Sequence, residues 1–452
     1  MPHDPKAAGA SAADEALRLH ALYRGKIQVL PKCPVSDLND LAIWYTPGVA
    51  APSAAIAADH ARSFDYTNRG NTVAIVTDGT RVLGLGDIGP EAALPVMEGK
   101  ALLFRHFGGV DAVPICLATK DPAEIVRIVE ALAPSFGAVN LEDIAQPKCF
   151  RILDALRQRL PIPVWHDDQQ GTATVVLAGL INALTIVGKA KEKVRIALIG
   201  TGAANVAVYR LLRAYGFPAA SFVACDSRGI LHKGRGDVAG DRTAFAEKWL
   251  LCTETNVEGK ADSIAAALSG ADVCIAFARS GPNVIQPEWI GGMAKDAIVF
   301  ACANPVPEIW PEAACAAGAR IVAGGRSDFP NQVNNSLAFP GVFRGVLDVR
   351  ARAITDAVAI AAAEELAKCG AEQGLREDHI LPRMTDWQIH ARVAAAAGVA
   401  AQRDGLARVT KDFSALYTGA CAAIEATHRA EQALLSAEAP AAGRQAAPAR
   451  RA

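Results

Sequence analysis

From residue 111 to residue 323 the chain alternates between short apolar runs and longer amphipathic ones. The short runs predict strands over 111–117, 138–141, 163–166, 194–199, 221–225, 273–277, 297–301 and 320–323. Between them, the spacing predicts helices over 122–132, 147–159, 171–188, 203–215, 243–251 and 263–268. Strands that alternate with helices in this way form parallel sheets covered on both faces. Upstream, the sequence predicts helices over 13–23 and 36–45, the second with Ser36 as N-cap. Two strands, 72–77 and 81–85, and a helix over 91–107 follow. After about residue 350 the chain reads as Ala-rich helices. The fold class is therefore α/β, and 452 residues leave room for two large domains or three smaller ones.

Lys and Arg total 46 and Asp and Glu 47, a formal charge of −1. That balance excludes a long-range electrostatic drive toward nucleic acid or anionic lipid. Ten cysteines are scattered without Cys-x-x-Cys spacing, which points to buried thiols in a reducing cytoplasm rather than disulfides or zinc. Residues 1–17 carry four charges and no apolar signal core. The uncharged stretch 171–188 imitates a membrane span, but four polar residues dilute it and charges flank it. It is expected to be a helix buried within a large domain, not a membrane segment.

Two glycine loops compete for a dinucleotide. Gly84-Leu85-Gly86-Asp87-Ile88-Gly89 matches G-x-G-x-x-G in full, whereas Gly200-Thr201-Gly202-Ala203-Ala204-Asn205 has Asn at the third glycine. The second has the better context. A buried strand precedes it, and an uninterrupted helix follows, whose free N–H groups and dipole suit a pyrophosphate. The next strand ends near Asp226, where a ribose-binding acid is expected. Pro90 and Pro95 follow the first loop, and Asp87 stands where the phosphate should be.

Glu142-Asp143 and Asp167-Asp168 follow two strands joined by a single helix. Such a crossover makes the strands parallel and puts both acidic pairs at the carboxyl edge of the sheet. The glycine loop at 200 is expected at that edge too, where ligands of open α/β sheets bind. Crowded carboxylates repel unless a cation lies between them. Hard oxygen ligands suit Mg²⁺ or Mn²⁺, and no His/Cys cluster is visible to compete.

At this point seven separated blocks, in order over about residues 20–370, resemble the short bacterial malic enzymes. They include Tyr45-Thr46-Pro47-Gly48, Tyr66-Thr67-Asn68-Arg69-Gly70-Asn71, Pro95-Val96-Met97-Glu98-Gly99-Lys100, Asn140-Leu141-Glu142-Asp143, His166-Asp167-Asp168-Gln169-Gln170-Gly171-Thr172, Ala303-Asn304-Pro305 and Asn331-Gln332-Val333-Asn334-Asn335. The loop Gly84–Gly89 matches as well.

The resemblance implies oxidative decarboxylation of malate to pyruvate and CO₂ with NAD or NADP and Mg²⁺ or Mn²⁺. It implies Tyr45 as general acid and Lys100 as general base. Glu142, Asp143 and Asp168 are implied as metal ligands, Arg81 on a substrate carboxylate, and Asn304 and Asn335 near substrate and nicotinamide. Gly200, Thr201, Gly202, Ala203 and Asp226 would hold the dinucleotide. Gln170 departs from the His usual in the family and Asn205 from a small residue. The family's larger fused form carries an acetyltransferase-like C-terminal domain, for which this chain is too short.

This chemistry needs a base for the C2 hydroxyl proton and an acid for C3. A lysine serves as base if burial or nearby positive charge lowers its pKa. In Asp226-Ser227-Arg228, the acid suits the ribose hydroxyls of NAD and the other two a 2′-phosphate, so both cofactors stay open. Alternative readings are a metal-dependent oxaloacetate decarboxylase without dinucleotide, and a catalytically idle regulatory protein on the same fold.

The expected organisation is an N-terminal α/β substrate domain over 1–162 and a Rossmann-like, doubly wound dinucleotide-binding domain over 163–385. C-terminal helices over 386–435 and a disordered Ala/Pro/Arg-rich tail over 436–452 complete it. The expected partners are malate and a second copy, as homodimer or higher homo-oligomer. The Ala-rich helices would cover that interface or simply the domain.

Overall fold

A computed structural model describes residues 12–438 of the chain. The alternating region folds as two sheets rather than one continuous edge. The first contains β1 (Thr72–Thr77), β2 (Asp111–Cys116), β3 (Ala138–Leu141) and β4 (Val164–His166) in the order β2-β1-β3-β4. All its pairings are parallel. The second contains β5 (Ile196–Ile199), β6 (Phe222–Asp226), β7 (Gly229–Ile230), β8 (Val273–Ala276), β9 (Ala297–Ala301) and β10 (Ala319–Gly324), in the order β10-β9-β8-β5-β6-β7. Only β6–β7 is antiparallel. Its strand order reverses between β5 and β8, which places a crevice beyond their carboxyl ends.

The uncharged stretch links the sheets. It forms the helix Thr172–Val187, packed against the helices Ala203–Ala214 and Asp356–Glu372. Among the described residues only the run Asp167–Val187 is long and apolar enough to cross a membrane, and 67% of it is buried inside the protein. The Ala-rich helices cover their own chain. Trp387–Arg403 packs on Phe339–Asp348, where a Cβ on Gly345 would meet the Ala394 carbonyl oxygen at 2.1 Å. Small residues let these helices approach closely, and Phe104 of the helix Pro90–Gly108 seals their base against Phe339 and Phe343.

Several expectations need correction. Residues 81–85 form no strand. They turn back so that Val82 bridges Gly86, with Leu83 and Gly86 both at positive φ. The hairpin strand β7 was not anticipated, and Gly229, at φ +108, makes its tight turn. Asp37, not Ser36, caps the helix Leu38–Trp44, because its carboxylate accepts from two backbone N–H groups. The final helix, Phe413–Glu438, runs past the expected start of the tail, whose remainder, 439–452, lies outside the described residues.

Helices in the segment 12–66 bury no residue, and it exposes a series of large apolar side chains. Leu38 is 82% exposed, Trp44 52% and Tyr45 72%.

Candidate active site

The carboxyl ends of both sheets face one cleft of about 1260 Å³. From the first sheet and its loops, Arg81, Lys100, Glu142, Asp143 and Asp168 line it. From the second come Gly200 to Ala204, Asp226 and Ser227, with Asn304 and Asn335 from later loops. The expected metal, substrate and cofactor residues therefore converge, although on two sheets rather than along one.

The acid cluster follows from local geometry. β3 and β4 pair with Val139 opposite Val164, so Glu142-Asp143 and Asp167-Asp168 emerge side by side. Asp143 takes φ +53, and its N–H donates to Asp168 Oδ2 at 2.9 Å. Ligand oxygens of Glu142, Asp143 and Asp168 all lie within 4.8 Å of one another. Burial, reinforced by the Asp168 charge, pushes Asp143 up to about 8 against the pull of Lys100 and Arg81. Burial likewise pushes Glu142 well up. Asp143 Oδ2 is buried with no hydrogen-bond partner among the described residues. An orphaned oxygen in an all-carboxylate cluster fits a hard divalent cation.

Lys100 is buried in the helix Pro90–Gly108. Its Nζ donates to Asp167 Oδ2 at 2.6 Å and lies 3.0 Å from Glu142 Oε1. Burial pulls its pKa down, but Asp167 and Glu142 outweigh burial and hold it above the ordinary lysine value. The expected fall toward neutrality is thus reversed, because the nearest charges are negative. Arg81 Nη1 donates to the Leu83 carbonyl at 2.7 Å, and the Arg81 N–H to that of Asp143 at 3.0 Å. The loop that failed to become a strand thereby ties Arg81 to the acid cluster.

The glycine loop joins β5 to the helix Ala203–Ala214, the strand–loop–helix context expected of it. Gly200 takes φ +97, and a Cβ there would meet the Phe277 carbonyl oxygen at 2.4 Å. A Cβ on Gly202 would meet nothing within 4 Å. Asn205 replaces the third glycine by hydrogen bonding. Its amide donates to the carbonyls of Ile199 and Gly200, both at 2.9 Å, and fastens the helix to the end of β5. Gln170, the other departure, accepts from the His166 N–H at 2.7 Å and closes the π-helical turn Asp167–Gly171.

Tyr45 is not among the cleft-lining residues; its ring lies within the exposed N-terminal face. Asp167 was read only as a neighbour of Asp168, yet it is the residue that holds Lys100. The signal was Gly171, where a Cβ would lie 1.9 Å from Asp167 Oδ1. Lys248 and Arg235, which grip Asp226, left no sequence signal because they reach it from elsewhere in the fold. A His-containing cluster, His106, His428 and Glu431, was also missed. His106 Nδ1 pairs with Glu431 at 2.9 Å and His428 Nε2 with the His106 carbonyl at 3.0 Å, so they fasten the last helix to Pro90–Gly108.

Residues 24–157 match the family description "Malic enzyme, N-terminal domain", and residues 169–402 match "Malic enzyme, NAD binding domain". The chain is 48% identical over 402 residues to the bifunctional malic/malolactic enzyme of Bacillus subtilis, covering 89% of this chain and 96% of that one. It is 48% identical to the NAD-dependent malic enzyme of Geobacillus stearothermophilus, covering 90% and 83% respectively. Its fold is similar to the crystal structure of Entamoeba histolytica malic enzyme, with a TM-score of 0.91 at 46% identity over 94% of this chain and 88% of that one. Two sheets facing one acid-lined cleft, and family matches that between them span most of the chain, identify it as a member of the malic enzyme family.

Proposed function

We propose that this cleft performs the oxidative decarboxylation of malate to pyruvate and CO₂. The observation that supports it most is the meeting of Lys100, three carboxylates and a dinucleotide loop in one cavity. Glu142, Asp143 and Asp168 would hold Mg²⁺ or Mn²⁺, which supplies electrophilic stabilisation of the C2 oxygen and of the enolate. Gly200–Ala203 would hold NAD or NADP, which would supply the hydride acceptor.

The remaining roles belong to the chain's own groups. Arg81, at the cleft wall, binds a substrate carboxylate, and Asn304 and Asn335 orient the substrate toward the nicotinamide side. Lys100 takes the C2 hydroxyl proton. Asp167, 2.6 Å from its Nζ, holds that side chain in position at the cleft. Asp226 lies at the adenosine end of the cleft.

Tyr45 is the acid assigned to C3, and because its ring lies outside this chain's own cleft, that role requires the face that carries it to meet a cleft. Its exposed ring belongs to an apolar face with Leu38, Ile43 and Trp44, and a second copy of the chain is the partner assigned to that face, giving a homodimer or higher homo-oligomer. A monomer in light scattering would remove this assignment. Buried free thiols such as Cys225, Cys274 and Cys302 suit the cytoplasm.

The test follows reduced nicotinamide by absorbance, with malate, Mn²⁺ and each cofactor in turn. Reduction that depends on all three supports the reading. Turnover of oxaloacetate without dinucleotide, and none of malate, would replace it with a simple decarboxylase.

A further inference from the structure

Asp226 ends β6, where an acid would ordinarily accept hydrogen bonds from the adenosine ribose hydroxyls. Here its acceptor capacity is already used. Oδ1 accepts from the Arg228 N–H at 2.8 Å and from Arg235 Nη1 at 3.1 Å. Oδ2 accepts from Arg235 Nη2 at 2.8 Å and from Lys248 Nζ at 3.1 Å. A carboxylate offers about four lone-pair sites, so none remains for a ribose hydroxyl. Arg235 is also not free to leave. It is buried, and Asp237 grips its Nε at 2.7 Å and its Nη2 at 2.8 Å.

The same groups leave positive charge to spare. Arg228, Arg235 and Lys248 face two carboxylates, Asp226 and Asp237. Lys248 has three N–H donors and spends one on Asp226, and it lines the cleft beside Ser227.

We propose that this end of the cleft is built for a 2′-phosphate, so that the protein takes NADP⁺ in preference to NAD⁺, with Lys248 as the specificity-determining residue. Arg235 is a positioning residue: it neutralises Asp226, which would otherwise repel the phosphate, and keeps it from the ribose hydroxyls of NAD⁺. The inference rests on the reading of Gly200–Ala203 as the dinucleotide cradle, but not on the malate chemistry.

The experiment uses fragments that lack the nicotinamide, so it is independent of turnover. Calorimetric titration of the full chain with 2′,5′-ADP and with 5′-AMP compares the ribose end with and without the phosphate. One charge-assisted contact is worth roughly ten- to hundredfold in affinity, so 2′,5′-ADP is expected to bind at least about tenfold tighter, with a preference that shrinks as salt rises. Lys248→Met should lose most of that preference by weakening 2′,5′-ADP alone, and Lys248→Arg should keep it. Equal affinity of the wild type for the two fragments, or tighter 5′-AMP, overturns the proposal whether or not any variant folds. So does a Lys248→Met protein that retains the full preference. Binding of neither fragment would instead overturn the cradle reading.

Discussion

The backbone N–H of Asp143 donates to Asp168 Oδ2 across 2.9 Å, joining the ends of β3 and β4 through two residues that are themselves acids. Like charges held this close should make turnover depend on a cation. Chelation should abolish turnover, and Mn²⁺ or Mg²⁺ should restore it. Asp168→Ala should fold by circular dichroism yet bind Mn²⁺ at least about tenfold more weakly. Unchanged affinity in a Mn²⁺ titration would strike Asp168 from the ligands.

Lys100 and Tyr45 are separable by partial reactions. Lys100→Ala should slow malate oxidation by about 10²- to 10⁴-fold, the range for one positioned base, and impair decarboxylation of supplied oxaloacetate less. Tyr45→Phe should slow tautomerisation of enolpyruvate, and ammonium should rescue only the lysine variant. The reverse pattern, with tautomerisation lost in Lys100→Ala and intact in Tyr45→Phe, would exchange the two roles.

The two glycines of the loop should fail differently. A Cβ on Gly202 meets nothing within 4 Å, so Gly202→Val should fold normally and lose dinucleotide affinity. Gly200→Ala must place a Cβ against the Phe277 carbonyl at φ +97, so it should lose about 2 kcal/mol or more of stability. Thermal unfolding and cofactor titration of both variants check this. A Gly202→Val protein with normal cofactor affinity would point back to the loop at Gly84–Gly89.

His390 makes stability depend on pH. Its ring is buried, stacked on Phe107, and burial pulls its pKa down to about 4. The unfolded chain, with a histidine near 6.5, then binds the proton more readily. Stability from this group is complete above about pH 6.5 and is lost as pH falls toward 4. Between neutrality and pH 5 the loss should be about 2 kcal/mol. Denaturant unfolding of wild type and His390→Gln at both pH values should show a shallower pH dependence in the variant. Parallel curves would mean that His390 is not the sensor.

Much of the fold was legible because it rests on local pattern. Ala138–Leu141 and Pro122–Leu132 were readable from apolar period. Residues 81–85 misled because their alternation resembles a strand, whereas the positive φ of Leu83 and Gly86 is set by the turn that carries Arg81. The carboxylates were legible because each pair ends a strand. Their division from the glycine loop onto separate sheets was not, since hydrophobic period says nothing about which strands share a ladder. Lys248 was invisible for a related reason: Asp226 lies 22 residues away along the chain and only tertiary packing brings them together. The reversed shift of Lys100 likewise depends on Asp167, 67 residues distant.

The passage from β4 to the second sheet is helical from the turn Asp167–Gly171 through Thr172–Val187, and residues 188–195 then lead into β5. A passage made only of loop would let the sheets rotate independently; this helix couples them through its packing on Ala203–Ala214. Its first turn holds Asp168, and its flank packs on the helix that begins at the glycine loop. Tilting one sheet against the other at this crossing must therefore swing a carboxylate of the acid cluster, so the opening angle of the cleft and the grip on an ion are a single mechanical coordinate.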